Sequence, residues 1–181
     1  MKTAKPASRH TQIKIAFDTC ILLDWHKRPE YKAAELEALA GIFQAKAIRT
    51  DDHWYFVYLD AVRREVGGML LDKLAREVEI QNILSCFDET VSLSRIPMIV
   101  PFTVVGKVHT EALHAFQAMS VSRKDSVVLA DAVFLGCSYL VTTDNKLLRN
   151  DHAVNTARAT YGLVVVGPVE FLELAAMPGQ Q

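Results

Sequence analysis

Short apolar runs alternate with longer segments of helical periodicity along most of the chain. The apolar runs are rich in β-branched and aromatic side chains and predict strands at residues 13–18, 53–59, 139–143 and 163–166. Helical spacing or capping residues predict helices at residues 30–47, 60–68, 70–87, 107–119, 122–136, 144–151, 152–161 and 168–176. Residues 91–105 predict extended structure interrupted by two prolines. Strands that alternate with helices indicate an α/β fold with a mainly parallel sheet.

Composition favours a single soluble domain. The 181 residues are half hydrophobic and 23% charged, enough for one sizeable core. Without repeats or linkers, we expect a disordered basic tail over residues 1–12 and one domain over residues 13–178. No apolar run reaches the roughly 18 residues of a membrane span. Three cysteines without a CxxC pair argue against a disulfide framework or a zinc site and favour a reducing cytoplasm.

Four acidic residues occur where predicted strands and helices meet. Asp18 and Asp144 each end an apolar strand and begin helical sequence. Asp125 opens the helix that leads to the 139–143 strand, and Glu65 lies in the short helix after the second strand. Ligands of open α/β sheets bind beyond the carboxyl ends of the strands. The order of elements therefore predicts four carboxylates at one edge of the sheet.

Such a cluster would attract divalent cations. Two carboxylates about 5 Å apart repel each other by roughly 3 kcal/mol at an effective dielectric constant of about 20. Carboxylates in this situation either raise their pKa values or bind cations. Oxygen ligands without histidine or cysteine favour Mg²⁺ or Mn²⁺, and a magnesium ion that keeps bound water suits the hydrolysis of phosphodiester bonds.

Each acid also has a purely structural explanation. Asp18 and Asp144 could cap the helical turns that follow them, Ser122 and Asp125 form a capping-box pattern, and Glu65 could be a solvated helix residue. Asp131 is a rival for the third acid. Support of the cluster and half-exposed solvation both remain open for it.

Basic residues flank the acids and would supply countercharge for a phosphate backbone. They are Arg63, Arg64, Arg123, Lys124 and Lys146. Ordinary solvation of exposed helix turns is the alternative for each of them. Because the formal net charge is −1, any binding of nucleic acid must depend on such local patches.

Four segments together resemble the PIN-domain ribonucleases, the family that includes the VapC-type toxins of toxin–antitoxin pairs. They are FDTCIL (17–22), LDAVRREV (59–66), KDSVVLADAVFLGCSYLVTTDNKLL (124–148) and LVVVGPVEFLELA (163–175). The third is the most specific, because it combines an aspartate at a helix start with a small-residue turn and LVTTD. The resemblance implies a PIN-like three-layer α/β/α sandwich around a mainly parallel sheet, and a Mg²⁺- or Mn²⁺-dependent endoribonuclease.

The resemblance also implies roles for individual residues. It makes Asp18, Glu65, Asp125 and Asp144 the catalytic and metal-binding acids, with Thr19 and Thr142 as hydrogen-bond donors that support them. The implied substrate is RNA. The implied protein partners are a cognate antitoxin, which would plug the acidic crevice with a basic side chain, and a second copy in a homodimer.

The chain departs from the family pattern in three places. Cys20 stands where the family often has Asn or Ser, Leu147 stands where some members have a further acid, and the chain is longer than a small toxin, with the surplus in the tail and in residues 86–107. A PIN-like module that binds RNA or protein without catalysis therefore remains an alternative. A haloacid-dehalogenase-type phosphatase is disfavoured, because its nucleophile motif needs a second aspartate at the position of Cys20.

Overall fold

The structure is a computed structural model that describes residues 12–26, 33–43, 53–68, 98–99 and 107–176. The described strands are β1 (Gln12–Phe17), β2 (His53–Val57), β3 (Met98–Ile99), β4 (Tyr139–Val141) and β5 (Val164–Val166). The described helices are α1 (Thr19–His26), α2 (Ala33–Phe43), α3 (Asp60–Gly68), α4 (Lys107–Ala118), α5 (Arg123–Phe134), α6 (Asn145–Leu148), α7 (Asp151–Tyr161) and α8 (Pro168–Ala176).

The described strands form one parallel sheet with the order β3-β2-β1-β4-β5. The central strand β1 pairs with β2 on one side and with β4 on the other, so that Ala16 lies beside both Val57 and Leu140. From β1 the chain builds the sheet outward through β2 and β3, then returns to add β4 and β5 on the opposite side. The strand order therefore reverses between β1 and β4, which is the position where α/β sheets form a ligand crevice.

Both faces of the sheet are covered by helices, which gives a three-layer α/β/α sandwich. Helix α2 packs against α8, while α3, α4 and α7 pack against α5. Successive side chains of a strand point to opposite faces, yet Ile15, Ala16, Leu140 and Val141 are all fully buried. This explains the continuous apolar runs in the sequence, because a strand between two helical layers has no polar face.

The helix ends follow from local sequence. The Ser122 side chain accepts a hydrogen bond from the Asp125 backbone N and caps α5, as the capping-box pattern predicts. Gly162 ends α7 in the left-handed conformation with φ of 70°, which glycine adopts without steric cost.

The predicted strands exist; β1 has the predicted length and begins one residue earlier, whereas β2, β4 and β5 are shorter than predicted. β2 ends at Val57 although Tyr58 and Leu59 are also buried, and β4 ends at Val141 before the two threonines. Burial extends past the last ladder hydrogen bonds, so the apolar pattern overestimates strand length.

Several predictions fall outside the described residues. The 70–87 helix lies there completely, and of residues 91–105 only Met98–Ile99 are described, as strand β3. The 30–47 helix is described only over Ala33–Phe43. The disordered tail lies outside as well except for Gln12, which begins β1. The single domain over residues 13–178 stays a prediction. Within the described part of the chain, no helix has the length and apolar character that a bilayer crossing requires.

Candidate active site

Asp18 is a buried carboxylate in the turn between β1 and α1. Its backbone N donates to the Val141 carbonyl at 3.0 Å, which fixes the turn beside β4. Its side chain, in a residue only 5% exposed, accepts three hydrogen bonds: from the Thr19 N at 2.7 Å, the Thr142 Oγ1 at 2.7 Å and the Cys20 Sγ at 3.3 Å. Burial raises the pKa of Asp18; the three donors oppose this effect, and the charge of Asp125 adds to it.

Thr142 connects Asp18 to Asp144. Besides donating to Asp18, its hydroxyl oxygen accepts a hydrogen bond from the Asp144 backbone N at 3.0 Å. Asp144 in turn caps α6, because its Oδ1 accepts from the Lys146 N at 2.7 Å. The structural explanation for Asp144 is therefore correct, and it places this acid beside Asp18.

Glu65 is joined to the Asp18 turn by Thr19. The Thr19 Oγ1 donates to Glu65 Oε2 at 2.7 Å, while the Thr19 backbone N donates to Asp18. The other Glu65 oxygen accepts from the Lys124 Nζ at 3.1 Å. The Glu65 side chain is only 17% exposed, so it is not the solvated helix residue of the alternative explanation.

Asp125 completes the group from the first turn of α5. Burial raises the pKa of Asp125; a hydrogen bond with Ser122 opposes this effect, the charges of Asp144 and Glu65 add to it, and the charge of Lys124 opposes it. Burial is the main cause of both pKa shifts, and the smaller charge effects connect Asp125 with Asp18, Asp144 and Glu65. The fold brings the predicted residues Asp18, Glu65, Asp125 and Asp144 together at the β1–β4 edge, along with both predicted threonines.

The donor set has the chemistry that Mg²⁺ or Mn²⁺ prefers, because it consists of carboxylate oxygens. In the described ranges, no group of three or more His, Cys, Asp or Glu side chains is arranged to hold a metal ion directly. Magnesium usually keeps several waters and takes one or two carboxylates. An ion at these acids would therefore have to be bound partly through water.

Cys20 occupies the centre of this hydrogen-bond network. Its Sγ donates to Asp18, lies 3.2 Å from the Thr142 Oγ1 and accepts from the Thr143 N at 3.2 Å. Burial raises the pKa of the thiol to about 12, with the charge of Asp18 adding to the effect. The thiol is therefore protonated near neutral pH and can donate to Asp18. Cys20 thereby supports the Asp18 carboxylate.

Asp131 is a structural link rather than a half-exposed residue. It is 2% exposed, its Oδ2 accepts from the Ala61 N at 2.8 Å and its Oδ1 lies 2.9 Å from the His109 Nε2. Burial raises the pKa of Asp131, and these two partners oppose the shift. Asp131 thereby ties α5 and α4 to the start of α3, the helix that carries Glu65. The solvation alternative for Asp131 is wrong.

Sequence reasoning missed Asp24. This residue is buried on α1 and accepts a hydrogen bond from the Thr143 Oγ1, in the turn that leads to Asp144. The available signal was an acid inside the apolar run ILLDW. Nothing in that run indicates a partner 119 residues away.

A groove of about 480 Å³ lies beside Glu65 between α3 and α5. The predicted RNA-binding residues Arg64, Arg123 and Lys124 line it, and valines of α5 form part of its surface. Lys146 is exposed just after Asp144. The side chain of Arg63 lies outside the described part of the structure.

Comparison with known proteins provides a fold but no sequence relative. No protein-family model matches the chain, and no curated protein matches it. A chain in the crystal structure of VapBC2 from Rickettsia felis bound to a DNA fragment from their promoter has a TM-score of 0.53 to this structure, with 14% identity over 86% of this chain and 98% of that chain. The fold is PIN-like. The α/β/α sandwich predicted from the sequence is confirmed, and in this PIN-like fold the four acids lie at the carboxyl ends of the central strands.

Proposed function

We propose that this protein is a metal-dependent endoribonuclease that hydrolyses RNA phosphodiester bonds at Asp18, Glu65, Asp125 and Asp144. The observation that supports it best is the meeting of four carboxylates from separate elements at the reversal of strand order, where burial and mutual repulsion raise the pKa of Asp18 and Asp125. Perturbed carboxylates in a crevice are characteristic of functional sites, since clustering like charges has no benefit for folding.

Mg²⁺ or Mn²⁺ would be held by these four acids, directly or through water. A bound ion would supply a water of lowered pKa as the nucleophile and positive charge to stabilise the leaving oxygen.

The protein's own groups keep the acids in position. Thr142 orients Asp18 and the Asp144 backbone together, and Thr19 does the same for Asp18 and Glu65. Functional sites need side chains held to within about 0.5 Å of the productive geometry, and hydrogen bonds of this kind fix the positions of the carboxylates. Arg123 and Lys124 in the α3–α5 groove would contact the RNA backbone beside the scissile phosphate.

The resemblance and the structural comparison together support an antitoxin partner. The motifs resemble VapC-type toxins, and a solved structure with a similar fold is that of VapBC2. We propose that an antitoxin inserts a basic side chain at the acidic edge. A homodimer and a cytoplasmic location belong to the same proposal.

The test uses labelled single-stranded RNA and the purified full chain. We expect cleavage with Mn²⁺ or Mg²⁺ that gives 5′-phosphate and 3′-hydroxyl ends, inhibition by EDTA, and loss of cleavage in Asp18→Asn and Asp144→Asn. Glu111→Gln is the matched control, because Glu111 is an exposed acid on α4 away from the four acids. Circular dichroism would show that each variant is folded.

Two results would contradict the proposal in different ways. Equal cleavage by the wild type and both Asn variants would exclude these acids as the catalytic site. A wild type that neither cleaves RNA nor binds Mn²⁺ in isothermal titration calorimetry would indicate a binding module without catalysis.

A further inference from the structure

A second pocket, of about 490 Å³, opens beyond the carboxyl ends of β4 and β5. It adjoins the four acids, because Thr142 both lines the pocket and donates to Asp18. Its volume falls in the range of small-molecule sites, roughly 300–1,000 Å³. The pocket is therefore large enough for one unstacked base of a bound RNA.

The pocket combines apolar walls with acidic groups. Leu148 of α6 and Val165 of β5 contribute apolar surface, and the exposed Glu170 and Glu173 of α8 contribute carboxylates, with Asn145 as a further polar residue in the lining. The two glutamates are three residues apart, so they lie on the same side of the helix. An ionised carboxylate can only accept hydrogen bonds. The pocket thus suits a flat apolar ring with hydrogen-bond donors at its edge.

The groove and the pocket differ in charge. Arg64, Arg123 and Lys124 line the α3–α5 groove together with Glu65, and Arg64 and Lys124 are paired with Asp60 and Glu65. The β4–β5 pocket is lined by Glu170 and Glu173 and, among the residues that the structure describes, by no basic one. Phosphate groups would bind in the groove and would be repelled from the pocket. The part of an RNA chain that enters the pocket must therefore carry hydrogen-bond donors, and of the ribose and the base only the base also has a flat ring for the apolar walls.

Guanine is the base that matches a carboxylate best. Its Watson–Crick edge has two adjacent donors, N1–H and the 2-amino group, which can pair with both oxygens of one carboxylate. Adenine and cytosine present one amino donor next to an acceptor, and uracil presents one N–H between two acceptors. Proteins commonly read unstacked RNA bases through this edge.

We propose that the β4–β5 pocket binds an unstacked guanine of the RNA substrate through the carboxylates of Glu170 and Glu173. This inference rests on the proposed function, because it assigns base specificity to the same ribonuclease. A cationic side chain of a partner protein would also complement the glutamates. A pocket that binds such a side chain would give no preference for one base in the RNA, so the base dependence of RNA binding distinguishes a guanine site from a protein site.

Binding can be measured without cleavage, with the wild-type chain in EDTA and fluorescein-labelled RNA hexamers. The probes are hexauridine and the same hexamer with one uridine replaced by guanosine, inosine or adenosine. By fluorescence anisotropy we expect the guanosine hexamer to bind roughly tenfold more tightly than hexauridine, the scale of one good bidentate contact. Inosine lacks the 2-amino group and should lose most of this preference.

The variants Glu170→Gln and Glu173→Gln test the carboxylates. We expect at least one of them to remove most of the guanosine preference without weakening hexauridine binding, and the control Glu111→Gln to keep the preference. Equal binding of all four hexamers by the wild type, or an unchanged preference in both glutamine variants, would overturn the guanine assignment.

The outcome is separable from that of the nuclease test. Metal-dependent cleavage that requires Asp18, combined with equal binding of all hexamers, would overturn the guanine pocket alone. A guanosine preference that depends on Glu170 or Glu173, in a protein that cleaves nothing with Mn²⁺, would support the pocket and overturn the ribonuclease.

Discussion

Replacing Thr142 with valine removes one hydroxyl from the centre of the acidic cluster and leaves the shape of the side chain almost unchanged. The hydroxyl donates to Asp18 Oδ2 at 2.7 Å and accepts from the Asp144 N at 3.0 Å, in a residue that is 0% exposed. Valine can do neither. Because the volume is nearly conserved, the variant tests these hydrogen bonds rather than packing.

The expected cost follows from the two lost bonds. A hydrogen bond to a charged group contributes about 1.5–3 kcal/mol, and an unpaired buried donor costs about 1–3 kcal/mol. These two costs are not fully additive, because the neighbouring groups relax together and Asp18 can take up a proton. We expect the free energy of unfolding to fall by about 3 kcal/mol. For a chain of this size the melting temperature should then fall by about 6–12 °C.

The electrostatic consequence has a definite direction. The Thr142 hydrogen bond lowers the pKa of Asp18 against the larger raising effect of burial. Its loss should raise the pKa of Asp18 further and weaken the binding of Mn²⁺ in calorimetry, because protons and metal ions compete for the carboxylate.

The assay is urea and thermal denaturation of the wild type and three variants in EDTA. Thr142→Ser keeps the hydroxyl and should lose only about 1 kcal/mol for the missing methyl. Thr160→Val makes the same chemical change on the exposed surface of α7 and should stay within about 0.5 kcal/mol of the wild type. A Thr142→Val protein as stable as Thr142→Ser would refute the reasoning.

Three further predictions concern the acids. Asp125→Asn removes one of the clustered negative charges and should raise the free energy of unfolding at pH 7 by about 0.5–1 kcal/mol, a small gain because solvent screens the charges. A lower free energy of unfolding than that of the wild type, measured by urea denaturation in EDTA, would contradict this prediction. The raised pKa of Asp18 and Asp125 means that the folded state binds protons more tightly than the unfolded state near pH 3.8, so their contribution to stability is present at low pH and lost as pH rises through the folded pKa. The metal-free wild type should accordingly lose more stability than Asp125→Asn between pH 4 and pH 7, and equal losses in denaturation at both pH values would argue against it. Asp131→Leu should lower the free energy of unfolding by about 2–4 kcal/mol, because the Ala61 N and His109 lose their partner, whereas Asp131→Asn keeps an acceptor. Equal melting temperatures of the two variants in calorimetry would be inconsistent with Asp131 as a hydrogen-bonded link between helices.

The sheet was predictable because its strands are buried on both faces. Ile15, Ala16, Leu140 and Val141 form continuous apolar runs that require no knowledge of distant contacts. The placement of acids at strand ends was equally predictable, since the carboxyl ends of parallel strands share one edge. The ends of the strands could not be predicted, because Tyr58 and Leu59 are buried although they lie beyond the paired part of β2.

The hydrogen-bond partners of buried polar groups could not be predicted from the sequence. Asp131 accepts from an amide 70 residues away, and Asp24 accepts from a hydroxyl 119 residues away. A local pattern shows that such an acid needs a partner but does not say which one. The resemblance indicated Thr19 and Thr142 as donors, and only the coordinates show that each contacts two acids or their backbone.

The four acids differ from an ordinary buried polar network in how their charge is compensated. Ser122 and the Lys146 amide hold Asp125 and Asp144, Thr19 holds Glu65, and three donors hold Asp18. Lys124 is the cation that contacts Glu65 directly. Hydrogen bonds within the protein therefore define the geometry of the cluster, and Lys124 compensates only part of its negative charge. If the proposed metal binds here, mutations that remove a donor should damage folding and metal binding together. Asp144→Asn keeps an oxygen for the Lys146 N and should weaken metal binding alone, whereas Asp18→Asn should also cost stability, because both Asp18 oxygens accept hydrogen bonds.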